Sequence, residues 1–162
     1  MPFQPIAGLP PGKKITSMVD YDNVSVNWNR YELANGITLS VTSLPAAIFA
    51  TDMTDPMGKP LYIVAWNNVV RITAPENLTG TPTPMPVPDQ MRRLPTTAVK
   101  PITSDEPWNE FALKDGHTLK ARVIVTEIRR VQNMFDPTGM PLFIVNSQQV
   151  LDISETEASA RE

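Results

Sequence analysis

Residues 28–39 read WNRYELANGITL, and residues 108–119 read WNEFALKDGHTL. The offset is 108 − 28 = 80 throughout. The match resumes as DPMGKPLYIVAWNNVVRI from Asp55 and DPTGMPLFIVNSQQVLDI from Asp136, now offset by 136 − 55 = 81. Identical pairs begin with Trp28/Trp108, Asn29/Asn109, Leu33/Leu113, Gly36/Gly116, Thr38/Thr118, Leu39/Leu119 and Ile48/Ile128. They continue with Asp55/Asp136, Pro56/Pro137, Gly58/Gly139, Pro60/Pro141 and Leu61/Leu142. Ile63/Ile144, Val64/Val145, Val69/Val150 and Ile72/Ile153 complete the set. Repeats are the first feature to seek, because they set the architecture. This ordered recurrence of tryptophans, glycines and prolines indicates an internal duplication.

Each copy decodes as a small antiparallel β unit. Asn35-Gly36 and Asp115-Gly116 follow a short apolar strand, and both pairs accept the positive φ of a two-residue hairpin turn. The next strand is long. In the second copy Leu119, Ala121, Val123 and Val125 share one face, but Glu127 and Arg129 then take it, with Ile124 and Ile128 opposite. The first copy drifts likewise, from Leu39 and Val41 to Leu44 and Ile48, with Pro45 near the change. Side chains alternate with period two, so a parity change within a strand marks a bulge or bend. Asp55-Pro56-Met57-Gly58 and Asp136-Pro137-Thr138-Gly139 have the residues of a type I turn closed by a glycine. The strands that follow, from Leu61 and Leu142, are apolar on both faces and read as central.

The expected fold is therefore all-β: two tandem antiparallel β units, meander, sandwich or barrel-like, joined by a proline-rich linker. The expected organisation is an N-terminal proline-bearing arm (1–20), a first repeat (21–73), a linker (74–107), a second repeat (108–154) and a disordered C-terminal tail (155–162). Eight of the 17 prolines fall between 74 and 107. Such a segment favours extended conformations and serves as a connector or as an arm on a neighbouring subunit. A unit of about 46 residues is too small to fold readily alone, so it needs the other repeat or a second chain.

Composition narrows the function. The net charge is 14 − 17 = −3, which argues against a strongly basic nucleic-acid binder. With no cysteine and one histidine, His117, neither thiolate chemistry nor a multi-histidine metal cluster is available within one chain. No run approaches the roughly 20 apolar residues of a membrane helix, and no signal-peptide core stands at the N-terminus. The chain reads as soluble, intracellular or part of an assembled particle, with no cofactor.

No phosphate loop, nucleophile elbow or metal-ligand spacing appears. Asp55 and Asp136 are explained by their turns, and Trp28 and Trp108 by core or inter-repeat packing. His117 sits in a turn with no partner nominated to orient it, as a catalytic base requires. Lys120, Arg122, Arg129 and Arg130 form a basic cluster, yet residues 108–153 carry five basic and five acidic residues. The unit resembles an Sm-like RNA-binding barrel only in its hairpin and a closing Val-x-x-Ile.

The expectation is a non-enzymatic structural or assembly protein. It would bind other protein chains, as a homo- or hetero-oligomer, through β edges and proline-rich arms. A virion or phage accessory protein, or a small subunit of a larger complex, fits. Trp66, which lacks a counterpart, and Met85, Val87 and Leu94 are the candidate interface anchors. A small-barrel nucleic-acid-binding protein is the alternative, and an enzyme with a site between the repeats the third reading.

Overall fold

The computed structural model describes residues 15–155. Residues 1–14 and 156–162, with most of the expected arm and tail, lie outside the described residues. The strands are β1 (Ile15–Met18), β2 (Tyr21–Ser25), β3 (Asn29–Glu32), β4 (Thr38–Thr54) and β5 (Pro60–Thr73). Then come β6 (Thr96–Val99), β7 (Thr103–Asp105), β8 (Asn109–Leu113), β9 (His117–Phe135) and β10 (Pro141–Glu155). A one-turn helix, α1 (Pro88–Met91), precedes β6.

The strands form two antiparallel sheets of five. In the first, β4 pairs with β5 along one edge and with β1 and β3 along the other. In the second, β9 pairs with β10 along one edge and with β6 and β8 along the other. The fifth strand of each sheet comes from the opposite half of the chain: β7 pairs with β3, and β2 pairs with β8. Each half thus lends a strand to the other.

The segment 74–107, which its prolines mark as a connector, therefore contains two sheet strands. Pro95 and Pro101 flank β6, and Pro107 follows β7, so no proline interrupts a ladder. In the same way β1, within the expected arm, is paired to β4.

The long strands are bent. Pairing of β4 with β5 shifts register between Pro45 and Ala47, and pairing of β10 with β9 shifts between Asn146 and Ser147. An extra residue bends a strand and increases its twist. The bend carries each long strand from one core to the other. Leu39 and Val41 of β4 pack with Tyr31, Leu33, Val123 and Ile128. Further along β4, Ile48 packs with Phe111, Leu113, Leu119 and Ile153. Residues of β9 divide the same way: Leu119 and Ala121 in one core, Val123 and Ile128 in the other. Both cores draw on both halves, which answers the shortage of apolar surface in a unit of this size.

The expectation that β5 and β10 are central is overturned. Among the described residues each pairs on one side only. Their inner face is apolar because Tyr62, Val64 and Trp66 cover one core while Phe143 and Val145 cover the other. Val69 and Val150 are exposed on their outer face, and Val70 and Leu151, of the opposite parity, are exposed as well.

Candidate functional site

Asp55 and Asp136, shared by the two copies, both stand at the start of a turn. Asp55 Oδ1 accepts from the backbone N–H groups of Met57 and Lys59, both at 2.8 Å. Asp136 Oδ1 accepts from those of Thr138 (2.8 Å) and Met140 (3.1 Å), and from the Thr138 hydroxyl. Gly58 and Gly139 close these turns at φ 82° and 86°. Pro56 and Pro137 occupy the second turn positions. Both carboxylates are engaged by their own loops.

The hairpins differ from the two-residue turn. Leu33 N–H donates to Ile37 O at 2.8 Å across Ala34, Asn35 and Gly36, so the loop has three residues. Asn35 (φ 66°) and Gly36 (φ 78°) are left-handed in the first hairpin. In the second, Gly116 is left-handed at φ 94° but Asp115 is not. Asp115 instead turns its carboxylate back to accept from His117 N–H at 3.1 Å.

His117 has partners that the sequence did not nominate. The Tyr62 hydroxyl donates to Asp115 and lies 3.2 Å from His117 Nδ1, which is itself 3.2 Å from Asp115 Oδ1. Partial burial, and then the neighbouring Asp115 carboxylate, push the Tyr62 pKa upward. Burial opposes ionisation of Asp115, but hydrogen bonds from Tyr62 and His117 together outweigh it and hold its pKa below the ordinary value. The cluster joins β5 of one sheet to the hairpin of the other. Its counterparts at the other end are Phe143, Asn35 and Ile37, which line a small cleft together with Arg130. An orienting function at a junction between the sheets accounts for it.

A second network lies under the crossing strands. Asn29 Nδ2 donates to Val123 O (2.7 Å) and to the Tyr31 hydroxyl (2.9 Å). The Tyr31 hydroxyl in turn donates to Glu106 Oε2 at 2.7 Å. Glu106 Oε2 also accepts from Val125 N–H at 3.0 Å, and Arg122 Nε donates to Glu106 O at 2.7 Å. Burial, then the hydrogen bond to Glu106, raise the Tyr31 pKa. A buried polar group needs such partners, and this set fixes where the chain crosses between sheets.

The basic cluster is largely neutralised. Lys120 faces Glu110 at 3.7 Å, Arg122 faces Glu106 at 4.0 Å, and Arg129 faces Glu127 at 3.7 Å. Three of the four members thus have an acid nearby to offset their charge. Among the described residues, no group of three or more His, Asp or Glu is placed to hold a metal ion. No helix among them is long and apolar enough to cross a membrane.

The anchors named from sequence scatter. Trp66 is half-buried against Phe111, their ring centroids 6.4 Å apart, so it serves the core. Met85 and Val87 are exposed at 53% and 57%, and Leu94 is half-buried. Their proline-rich stretch is tied to its own chain. Thr83 N–H and Oγ1 both donate to Phe135 O, and Phe135 N–H donates to Thr83 Oγ1, at 3.0–3.1 Å. Trp28 and Trp108, expected in the core, are 39% and 43% exposed. Parity explains this: Tyr31 and Asn29 point inward, so Trp28 and Arg30 point outward.

The feature that remains unmatched by internal partners is the pair of sheet edges. β5 and β10 run 14 and 15 residues with one edge each unpaired among the described residues. β5 contains one charged residue, Arg71, and β10 two, Asp152 and Glu155. Comparison with protein-family models, with curated proteins and with solved structures finds no match to this chain.

Proposed function

We propose that the protein is a non-enzymatic assembly component, built from a duplicated β unit, that binds other protein chains through its sheet edges. The observation that carries this reading is the length and bareness of β5 and β10. A long unpaired strand presents a row of free N–H and C=O groups and templates pairing with another chain. Soluble monomers blunt such edges with lysines, internal prolines or short strands. Here the prolines, Pro60 and Pro141, stand only at the strand starts. Exposed Val69, Val70, Val150 and Leu151 add apolar area beside the open ladders.

The proline-bearing segment contributes in a smaller way. Met85 and Val87 project from a stretch already held to Phe135, so docking them orders little additional chain. A homo-oligomer or a larger hetero-complex, including a virion or phage particle, fits these surfaces equally.

The test is the molar mass by light scattering of the wild type against Val70→Lys with Leu151→Lys. The reading expects an oligomer, or a stable complex with a partner chain, that the two lysines disrupt while circular dichroism stays unchanged. A wild type that is a monodisperse 18.0 kDa species, and that binds no chain through these edges, contradicts it.

A further inference from the structure

The outer faces of the two sheets carry opposite charge at equivalent positions. In the second sheet, Ser25, Glu110, Lys120 and Asp152 lie side by side in register across β2, β8, β9 and β10. In the first sheet, the corresponding row across β7, β3, β4 and β5 is Asp105, Arg30, Ser40 and Arg71. Glu110 thus stands where the other sheet has Arg30, and Asp152 where it has Arg71. The acidic members become basic at the two positions nearest the tryptophan.

Each row ends beneath an exposed indole. Arg71 lies over the Trp28 ring, 4.9 Å from its centroid. Trp108 instead borders a cleft of about 380 Å³ lined by Ser25, Glu110, Lys120 and Asp152. Position 152 carries no arginine, and among the described residues no guanidinium lies over this second indole.

The internal ion pairs around these rows are weak. Lys120–Glu110, Lys59–Asp152 and Arg30–Glu32 span 3.7, 3.8 and 4.0 Å between side chains at least about a third exposed. Hydrogen-bonded ion pairs close to about 2.7–2.9 Å, and exposed pairs of this kind contribute about 1 kcal/mol or less. The carboxylates therefore remain open to better partners.

We infer that the Trp108 face of one copy docks on the Trp28 face of a second copy, setting Glu110 and Asp152 against Arg30 and Arg71. In that alignment Ser25 meets Asp105 and Lys120 lies over the uncharged, buried Ser40, so no like charges of the rows oppose. Tryptophan and arginine are the residue types that dominate interface energetics. The contact joins two different faces, so it is heterologous and generates a ring or an open filament. This deepens the assembly reading and rests on it, but it uses the sheet faces rather than the edges.

The test uses two full-length double variants. Arg30→Glu with Arg71→Asp makes both faces acidic, and Glu110→Arg with Asp152→Arg makes both basic. Sedimentation velocity is run at low and at high ionic strength, because exposed charges are screened by salt. The expected result is a wild type that self-associates at low salt and less at high salt. Each variant alone loses this salt-dependent association, whatever pairing its edges retain, and an equimolar mixture of the two regains it. That rescue cannot come from misfolding. Variants that assemble as the wild type does, or a mixture that does not regain the salt-dependent association, overturn the face contact and leave edge pairing standing. A wild type that is monomeric under all conditions, alone and with partner chains, overturns both.

Discussion

The two ends of the molecule share strand order and the geometry of their Asp-Pro turns, and differ in what they bury. At one end the crossing chain is held by Tyr31, Glu106 and Arg122; the matching positions at the other are Phe111, Val26 and Thr42. At the junction of sheet and hairpin, Tyr62, Asp115 and His117 face Phe143, Asn35 and Ile37 as counterparts. On the outside, Arg30 and Arg71 are opposed by Glu110 and Asp152. The backbone tolerates either chemistry because the turns and the shared apolar positions set it. The ends differ at sites that fix a crossing or meet solvent, and also in the buried interior, where Val41 and Ser43 match Ala121 and Val123.

The largest expected effect follows from the shared cores. Residues 15–73 and 96–155 expressed separately each retain only half of either core, and circular dichroism should show neither to be cooperatively folded. An independent thermal transition in either fragment would break the comparison, since the two ends would then be separate domains.

Next are the two aromatic counterparts. Phe111 is fully buried, and Phe111→Ala should cost about 3–5 kcal/mol by chemical denaturation. Exchanging the chemistry between the ends is more telling. Tyr31→Phe leaves Glu106 without its hydroxyl donor, and Phe111→Tyr buries a hydroxyl at a site whose counterpart to Glu106 is Val26. Each should cost about 1–3 kcal/mol. A neutral Phe111→Tyr would mean that a polar partner for the hydroxyl exists there as well.

The turns give a smaller, sharper contrast. Gly58 and Gly139 have nearly the same positive φ, so alanine strains both, by about 1 kcal/mol. A Cβ at Gly58 meets nothing within 4 Å, whereas one at Gly139 falls 2.9 Å from Gly80 O. Gly139→Ala should therefore be the more destabilising, because the proline-bearing segment must also shift. Equal losses in melting temperature would show that Gly80 moves freely.

The smallest effect is in pH dependence. The raised Tyr62 pKa stabilises the fold below the tyrosine's unfolded value, near 10, and that contribution is lost as pH rises through the folded value. The lowered Asp115 pKa acts oppositely: its contribution is present above the unfolded carboxylate value and lost as pH falls through the folded one. Tyr62→Phe, which copies Phe143, should soften the alkaline decline only in part, because Tyr31 also contributes to it. An unchanged decline would remove Tyr62 from the account.

The repeated turns, the long bent strands and the all-β class were legible because glycine, proline and parity act locally. The Asp55 and Asp136 loops need only residues within five positions. The exchange of β2 and β7 was not legible. TyrAspAsnValSer and ThrSerAsp are short and exposed, with no apolar alternation to mark a partner sheet. The Tyr62–His117 contact spans 55 residues, beyond any local signal. The edge position of β5 and β10 was misread because burial of one face by the neighbouring core needs the same apolar residues as a central strand. The outward setting of Trp28 was readable from its parity with Tyr31, and the residue type obscured it.

Edge pairing is tested most directly by amide hydrogen exchange on dilute and on assembled full-length protein. Pairing through β5 and β10 predicts that assembly slows exchange within 60–73 and 141–155 while β4 and β9, already bonded on both sides, change little. Exchange along both edges that stays as fast in the assembled protein as in the dilute one would contradict the account.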